Sequence, residues 1–173
     1  VEPEVPGCTY GWHDADYFNT AKTLSFALNG GRDPATGEQV GPDNGTLATF
    51  KSFEEVQHAF EVQLKYWIDC MVSTITTMDF VHQQNKPLPY LSLLVNDCID
   101  KGMDISAGGA RYNFTGPQCV GLGTVADSLS TIKQLVFDEK KVTGEELMKA
   151  LQDNWEGHEA LRAYVNSDQI GRA

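Results

Sequence analysis

Between Ser52 and Gln84, apolar residues recur at helical spacing: Val56, Phe60, Leu64, Trp67, Met71 and Ile75. A stripe three and four residues apart is one face of an amphipathic helix. "SFEE" (52–55) has the S-x-x-E form of a capping box, so the helix is predicted to start at Ser52 and run to about Gln84. This is the longest element the sequence predicts, and it commits the chain to a largely helical fold. Its middle, "MVSTITTM" (71–78), is β-branched and weak in helix propensity, so burial on several sides is expected to hold it.

The remaining segments fall around that helix. Residues 1–14 read as a loop punctuated by Pro3, Pro6, Gly7 and Gly11. Asp14 or Asp16 is expected to cap a helix running to about Asn29, where "NGG" stops it. The Gly- and Pro-rich stretch 30–50 is a long loop, and loops of that length in compact domains are functional or wrap a neighbour. "KPLPYLSLLVNDCIDKG" predicts one Pro-initiated helix ending at Gly102. Residues 108–120 suit a short strand around Arg111–Phe114 in a Gly-rich frame, and three helices follow: 121–137, one capped by Thr143, and one within "EGHEALRAYVN". The reading is a mostly α chain with one to three short strands.

Charge and cysteine usage narrow the function classes. The 173 residues carry a net charge of −11, with no basic cluster. That argues against a nucleic-acid partner, which needs clustered Lys and Arg, and against an anionic membrane surface. No apolar run reaches membrane-spanning length, and no basic-then-apolar leader opens the sequence. Cys8, Cys70, Cys98 and Cys119 form no CxxC pair, so neither a zinc site nor a disulfide framework is indicated. A reducing cytoplasm is the expected compartment, with Cys70 and Cys98 as buried thiols. His58, His82 and His158 lack metal-ligand spacing and read as surface or satisfied histidines.

Two stretches carry possible chemistry. "GLGTVAD" (121–127) matches G-x-G-x-x-[GA], but Pro117 stands where the preceding buried strand should run and no second strand follows. A close backbone approach at Gly121 and Gly123 explains the glycines better. The opening "VEPEVPGCTYGWHDADYFN" is different. Glu2 lies among apolar neighbours, where burial raises a carboxyl pKa and suits it to proton transfer. His13 and Asp14 follow Gly11 and Trp12, and a carboxylate there either caps a helix or accepts hydrogen bonds from a polar ligand.

The same residues resemble a family. "VEP…PG…GWHDADYFN" is similar to the segment that follows the active-site cysteine of glycyl radical enzymes, whose motif is G-C-V-E. "GGARYNFTGPQCVGLGTVADSLSTIKQLVFDEKKVT" resembles a second signature. The "DPATGEQVG" loop and "PLPYLSLLVNDCIDKG" fall between them in family order. Within the pyruvate formate-lyase-like family, the B12-independent glycerol and propanediol dehydratases and the isethionate sulfite-lyases are the most similar branch.

The resemblance implies a mechanism. A glycyl radical, installed by an S-adenosylmethionine/iron–sulfur activating enzyme, takes hydrogen from the active-site cysteine. The resulting thiyl takes hydrogen from a hydroxyl-bearing carbon of a small substrate. A glutamate accepts the hydroxyl proton and the neighbouring group leaves. Carried over, that glutamate is Glu2, Asp14 holds the substrate's polar end, and His13 accompanies it without an assigned role. The implied whole is a ten-stranded α/β barrel, commonly a homodimer, with no bound cofactor or metal in this segment. Residues 1–173 read as an internal segment: neither the motif cysteine, expected just before Val1, nor the R-V-x-G radical segment is present. The segment alone is therefore expected to be inactive. The rival readings are a non-catalytic helical binding or scaffold module and a dinucleotide-binding enzyme.

Overall fold

A computed structural model describes residues 12–166, with backbone only at 12–14. In chain order it holds β1 (Trp12–Asn19), α1 (Thr20–Leu28), α2 (Phe53–Asn85), α3 (Pro89–Leu94), α4 (Cys98–Lys101), β2 (Phe114–Val120), α5 (Leu122–Ile132), α6 (Gly144–Gln152) and α7 (Glu159–Val165). β1 and β2 pair in parallel, and each runs directly into a helix. The mostly helical expectation holds for the described residues. The barrel itself is not seen in a segment of this size.

Two compact units emerge: residues 19–68 with 119–166, and residues 12–18 with 69–118. The first closes on a core of Leu24, Leu28, Leu47, Val56, Val125, Ile132, Leu135, Val142, Leu147 and Met148. The long loop 30–50 packs against α2 within this unit, one of the two roles its length allowed. Fully buried Gln63 donates from Nε2 to the Pro42 carbonyl at 2.6 Å and to Asn44 Oδ1. Beyond Ile132 the helix widens into a π turn (Lys133–Asp138). That winding brings residues five apart together, so Lys133 pairs with Asp138 and Gln134 with Glu139. Thr143 caps α6 in a complete capping box with Glu146.

The second unit has a smaller core of Val95, Cys98, Ile105 and Ala110. It is pinned by Asp104. One carboxylate oxygen accepts the Leu88 N–H and the Ser92 hydroxyl, and the other accepts the Ser106 N–H and hydroxyl.

Four expectations need correction. Residues 12–19 form a strand, and α1 is capped by Asn19, whose Oδ1 accepts the Lys22 N–H at 2.9 Å, not by Asp14 or Asp16. The single helix over 88–102 is two helices, broken where Asp97 takes a left-handed conformation (φ 77°) beside Arg111. The strand near 111–114 begins at Phe114 and runs through Pro117. A parallel pair uses only alternate N–H groups of each strand, so a proline fits where its N–H would face away from the partner. Finally, the β-branched stretch of α2 is not buried on several sides. Ile75 is buried while Val72 and Met78 are exposed, and Thr74, Thr76 and Thr77 return their hydroxyls to carbonyls four residues back.

Candidate functional site

β1 carries two of the three predicted site residues. His13 and Asp14 occupy its second and third positions. Glu2 lies outside the described residues, as does Cys8. The sequence missed the strand because "HDADYFN" holds acidic residues that suit a cap, and the true cap, Asn19, sits three residues further on. Asp16, two positions beyond Asp14, is half-buried and accepts the Tyr17 N–H at 2.7 Å.

The chain passes from β1 into α1 without a linker residue. Thr20, the first residue of α1, is buried, and its hydroxyl donates to the Val120 carbonyl, the last of β2, at 2.6 Å. Gly121 then opens α5 at φ 84°, and a Cβ there would press on Ala21 Cβ at 3.1 Å. Two strand-to-helix passages thus lie against each other. The close approach expected of the "GLG" glycines is real at Gly121. Gly123 has no described neighbour that a Cβ would meet, so the same role is not needed there. A strand does precede this motif, contrary to the argument from Pro117. No strand follows α5 among the described residues, so no βαβ dinucleotide unit is formed.

The other titratable candidates fall into structural roles. His58 and His82 are exposed on α2, and His158 Nε2 lies 3.2 Å from Asp153. Cys98 is buried in the smaller core, and burial, reinforced by the nearby Asp104 charge, pushes its thiol up and keeps it inert. Cys70 is half-buried rather than buried. Among the described residues no group of three His, Cys, Asp or Glu side chains could hold a metal ion. No described helix is long and apolar enough to cross a membrane. A cavity of about 620 Å³ is lined by Ala15, Asn113 and Thr115 and, from α2, by Ile75, Asp79 and His82 among others.

Comparison with known proteins supplies what local geometry does not. The family described as PFL-like, pyruvate formate lyase-like, matches residues 1–172, a span that takes in Glu2, His13 and Asp14. A (2S)-3-sulfopropanediol dehydratase of Klebsiella oxytoca is 51% identical over 98% of this chain, which covers 21% of that protein. A trans-4-hydroxy-L-proline dehydratase of Clostridioides difficile is 42% identical over 87% of this chain and 19% of its own length. The crystal structure of a hydroxyproline dehydratase from the same organism superposes with a TM-score of 0.84 over 89% of this chain and 19% of that one. The glycerol-bound B12-independent glycerol dehydratase of Clostridium butyricum gives 0.82 at 35% identity, over 92% of this chain and 21% of that one. The chain spans about a fifth of the length of the curated relatives it matches. Agreement across almost the whole segment, in sequence and in backbone, leaves one assignment: the chain belongs to the pyruvate formate lyase-like family.

Proposed function

We propose that this segment is part of a glycyl radical lyase that eliminates water or a sulfonate group from a small hydroxylated substrate. The match to the family over residues 1–172, with 51% identity to a sulfopropanediol dehydratase, carries the reading. The glycyl radical and the thiyl it generates, both outside these residues, supply the carbon-centred radical chemistry. An activating enzyme and the rest of the polypeptide are the required partners, and the assembled enzyme is a cytoplasmic homodimer.

Within the segment, Glu2 is the base. It is flanked in sequence by Val1 and Pro3, and a carboxylate in apolar surroundings is a stronger proton acceptor than one in water. It takes the proton of the substrate hydroxyl as the adjacent group departs, a transfer that needs about 2.6–3.2 Å between heavy atoms. Asp14 accepts hydrogen bonds from the substrate's polar end and fixes which hydroxyl faces Glu2. His13, its neighbour on β1, belongs to the same site.

The test uses the full-length enzyme, activated anaerobically and offered (2S)-3-sulfopropanediol, 1,2-propanediol, glycerol, trans-4-hydroxy-L-proline and isethionate. Turnover of one of them is expected, and turnover of none overturns the reading. Glu2→Gln should abolish turnover while leaving the radical signal in electron paramagnetic resonance. Asp14→Asn should raise KM and lower kcat. Full activity in either variant removes the role given to that residue. The 173-residue segment alone should show no turnover after the same activation.

A further inference from the structure

β1 carries one more carboxylate than the functional reading uses. Asp14 and Asp16 stand at its third and fifth positions. Positions two apart on a strand share a face and lie about 6–7 Å apart along its axis. Phe18, the next position of that parity, is buried, whereas Tyr17, of the opposite parity, is exposed. Asp16 itself is half-buried. Its Oδ1 accepts the Tyr17 N–H at 2.7 Å, and among the described residues it makes no other hydrogen bond and no ion pair. A carboxylate offers about four acceptor positions, so most of the capacity of Asp16 is open to a ligand. Residues 12–18 all belong to one compact unit.

We propose that Asp16 is a specificity-determining residue: a second carboxylate on the face of β1 that includes position 14, which accepts a hydrogen bond from a hydroxyl or ammonium group of the substrate and repels a sulfonate or carboxylate. This rests on the functional reading above, in which Asp14 receives the substrate's polar end, and it narrows the substrate class of that same site. The spacing of the two positions is comparable with the length of a three-carbon polyol, so one molecule can meet both. An ionised carboxylate has acceptors and no donor. The substrate group that meets it must therefore supply the proton of the hydrogen bond. A sulfonate only accepts and is itself negative, so beside Asp16 it gains no bond and is pushed away. In a substrate that carries a sulfonate, that group points away from this face, toward the rest of the polypeptide.

The full-length enzyme again provides the test, with molecules that share one diol frame and differ on the third carbon: 1,2-propanediol, glycerol, 3-amino-1,2-propanediol and (2S)-3-sulfopropanediol. At neutral pH the amine is a cation and the sulfonate an anion. Each is measured as a substrate, or as a competitive inhibitor of whichever substrate the enzyme turns over. Asp16→Asn keeps the size of the side chain and an acceptor for the Tyr17 N–H, and removes the charge. It should weaken the amine about tenfold or more, leave 1,2-propanediol within about threefold, and strengthen the sulfonate. The glycyl radical signal should be unchanged. A residue that only shapes the strand would shift all four molecules by one factor. Such a uniform shift, or an unchanged ratio of amine to sulfonate, overturns the proposal. Should Asp16→Asn fail to fold, an unchanged ratio in Asp16→Ser overturns it equally. If Asp14→Asn is impaired while the ratio stays fixed in the Asp16 variant, only this inference fails; if Asp14→Asn is fully active, or nothing is turned over, the functional reading fails first.

Discussion

The unit built from α1, α5, α6 and α7 gathers ten buried apolar residues into one cluster, from Leu24 to Met148, with the π turn contributing Leu135 at 0% exposure. The unit built around α3, α4 and the start of β2 gathers four, one of them a cysteine and one an alanine. Its large side chains point outward: Phe80 is 63% exposed, Tyr90 77% and Leu93 62%. What it has instead is polar stitching. Asp104 gathers four donors, and the Ile105 N–H in turn donates to Ser92 Oγ. One unit is held by the area it removes from water and the other by directional bonds to a single carboxylate. The two kinds of cohesion respond differently to truncation, to pH and to salt.

The largest effect is expected from the apolar core. Leu135→Ala should cost about 2–5 kcal/mol, because the vacated volume lies at the centre of a closed cluster. Phe80→Ala in the other unit should cost under about 0.5 kcal/mol in this segment, since the ring is exposed. Urea titration of both variants checks the contrast, and a large loss in Phe80→Ala would break it.

Asp104→Ala comes next, at about 2–3 kcal/mol, for the loss of several hydrogen bonds to a charged acceptor. Its pH dependence is distinctive. Partial burial works against the charge, but the Ser106, Leu88 and Ser92 donors outweigh it and hold the carboxyl at about 2, below its usual 3.8. A lowered folded-state pKa means the folded form binds the proton less readily than the unfolded form. The stabilisation is therefore complete above about pH 4 and drains away as pH falls toward 2. Amide hydrogen exchange in residues 88–110 should speed up in that window in the parent. In Asp104→Ala that part of the pH dependence should vanish.

A smaller effect, about 1 kcal/mol, is expected for Thr143→Ala, which opens the capping box of α6. Thermal melts should show a shift of a few degrees in the core-rich unit, with no change in the pH profile.

Much of this contrast could be read from the sequence, and the failures are instructive. The stripe Val56, Phe60, Leu64, Trp67, Met71 and Ile75 marks the less exposed face of α2, and the Thr143 cap is where composition placed it. Periodicity and capping are local, so local reading finds them. The strand at 12–19 was hidden because its acidic residues mimic a helix start, and only pairing with β2, a hundred residues away, reveals it. The break at Val95–Asp97 lies beside Arg111, fourteen residues on and beyond the reach of a local pattern. Gln63 carried no signal at all: one polar residue on a long helix looks solvent-facing until the 30–50 loop closes over it. Local chemistry singled out Glu2, His13 and Asp14, but the roles proposed for them rest on the family resemblance, and Glu2 lies outside the described residues.

The smallest predicted effect tests whether the polar unit is strained as well as stitched. Asp97 is held at φ 77°, a conformation that disfavours a side chain, and its carboxylate receives the Arg111 guanidinium at 2.7 and 3.1 Å. Asp97→Gly removes the strain, worth about 1 kcal/mol in a residue other than glycine. It also removes an ion pair whose Arg111 side is 52% exposed, and exposed pairs are worth about 0.2–1 kcal/mol. A glycine adds entropy to the unfolded chain as well, which works against the folded state. These contributions nearly cancel, so the net change should stay within about 0.5 kcal/mol. Asp97→Asn separates them: asparagine tolerates the left-handed conformation about as well as aspartate but carries no charge. It should lose only the ionic contribution, and the difference from the parent should shrink as salt is raised toward 1 M, where the screening length falls to about 3 Å. A loss above about 1.5 kcal/mol in Asp97→Gly, or a salt-independent loss in Asp97→Asn, would mean that the pair is a buried anchor of the unit, in the same class as Asp104, and not an exposed clasp on a strained turn.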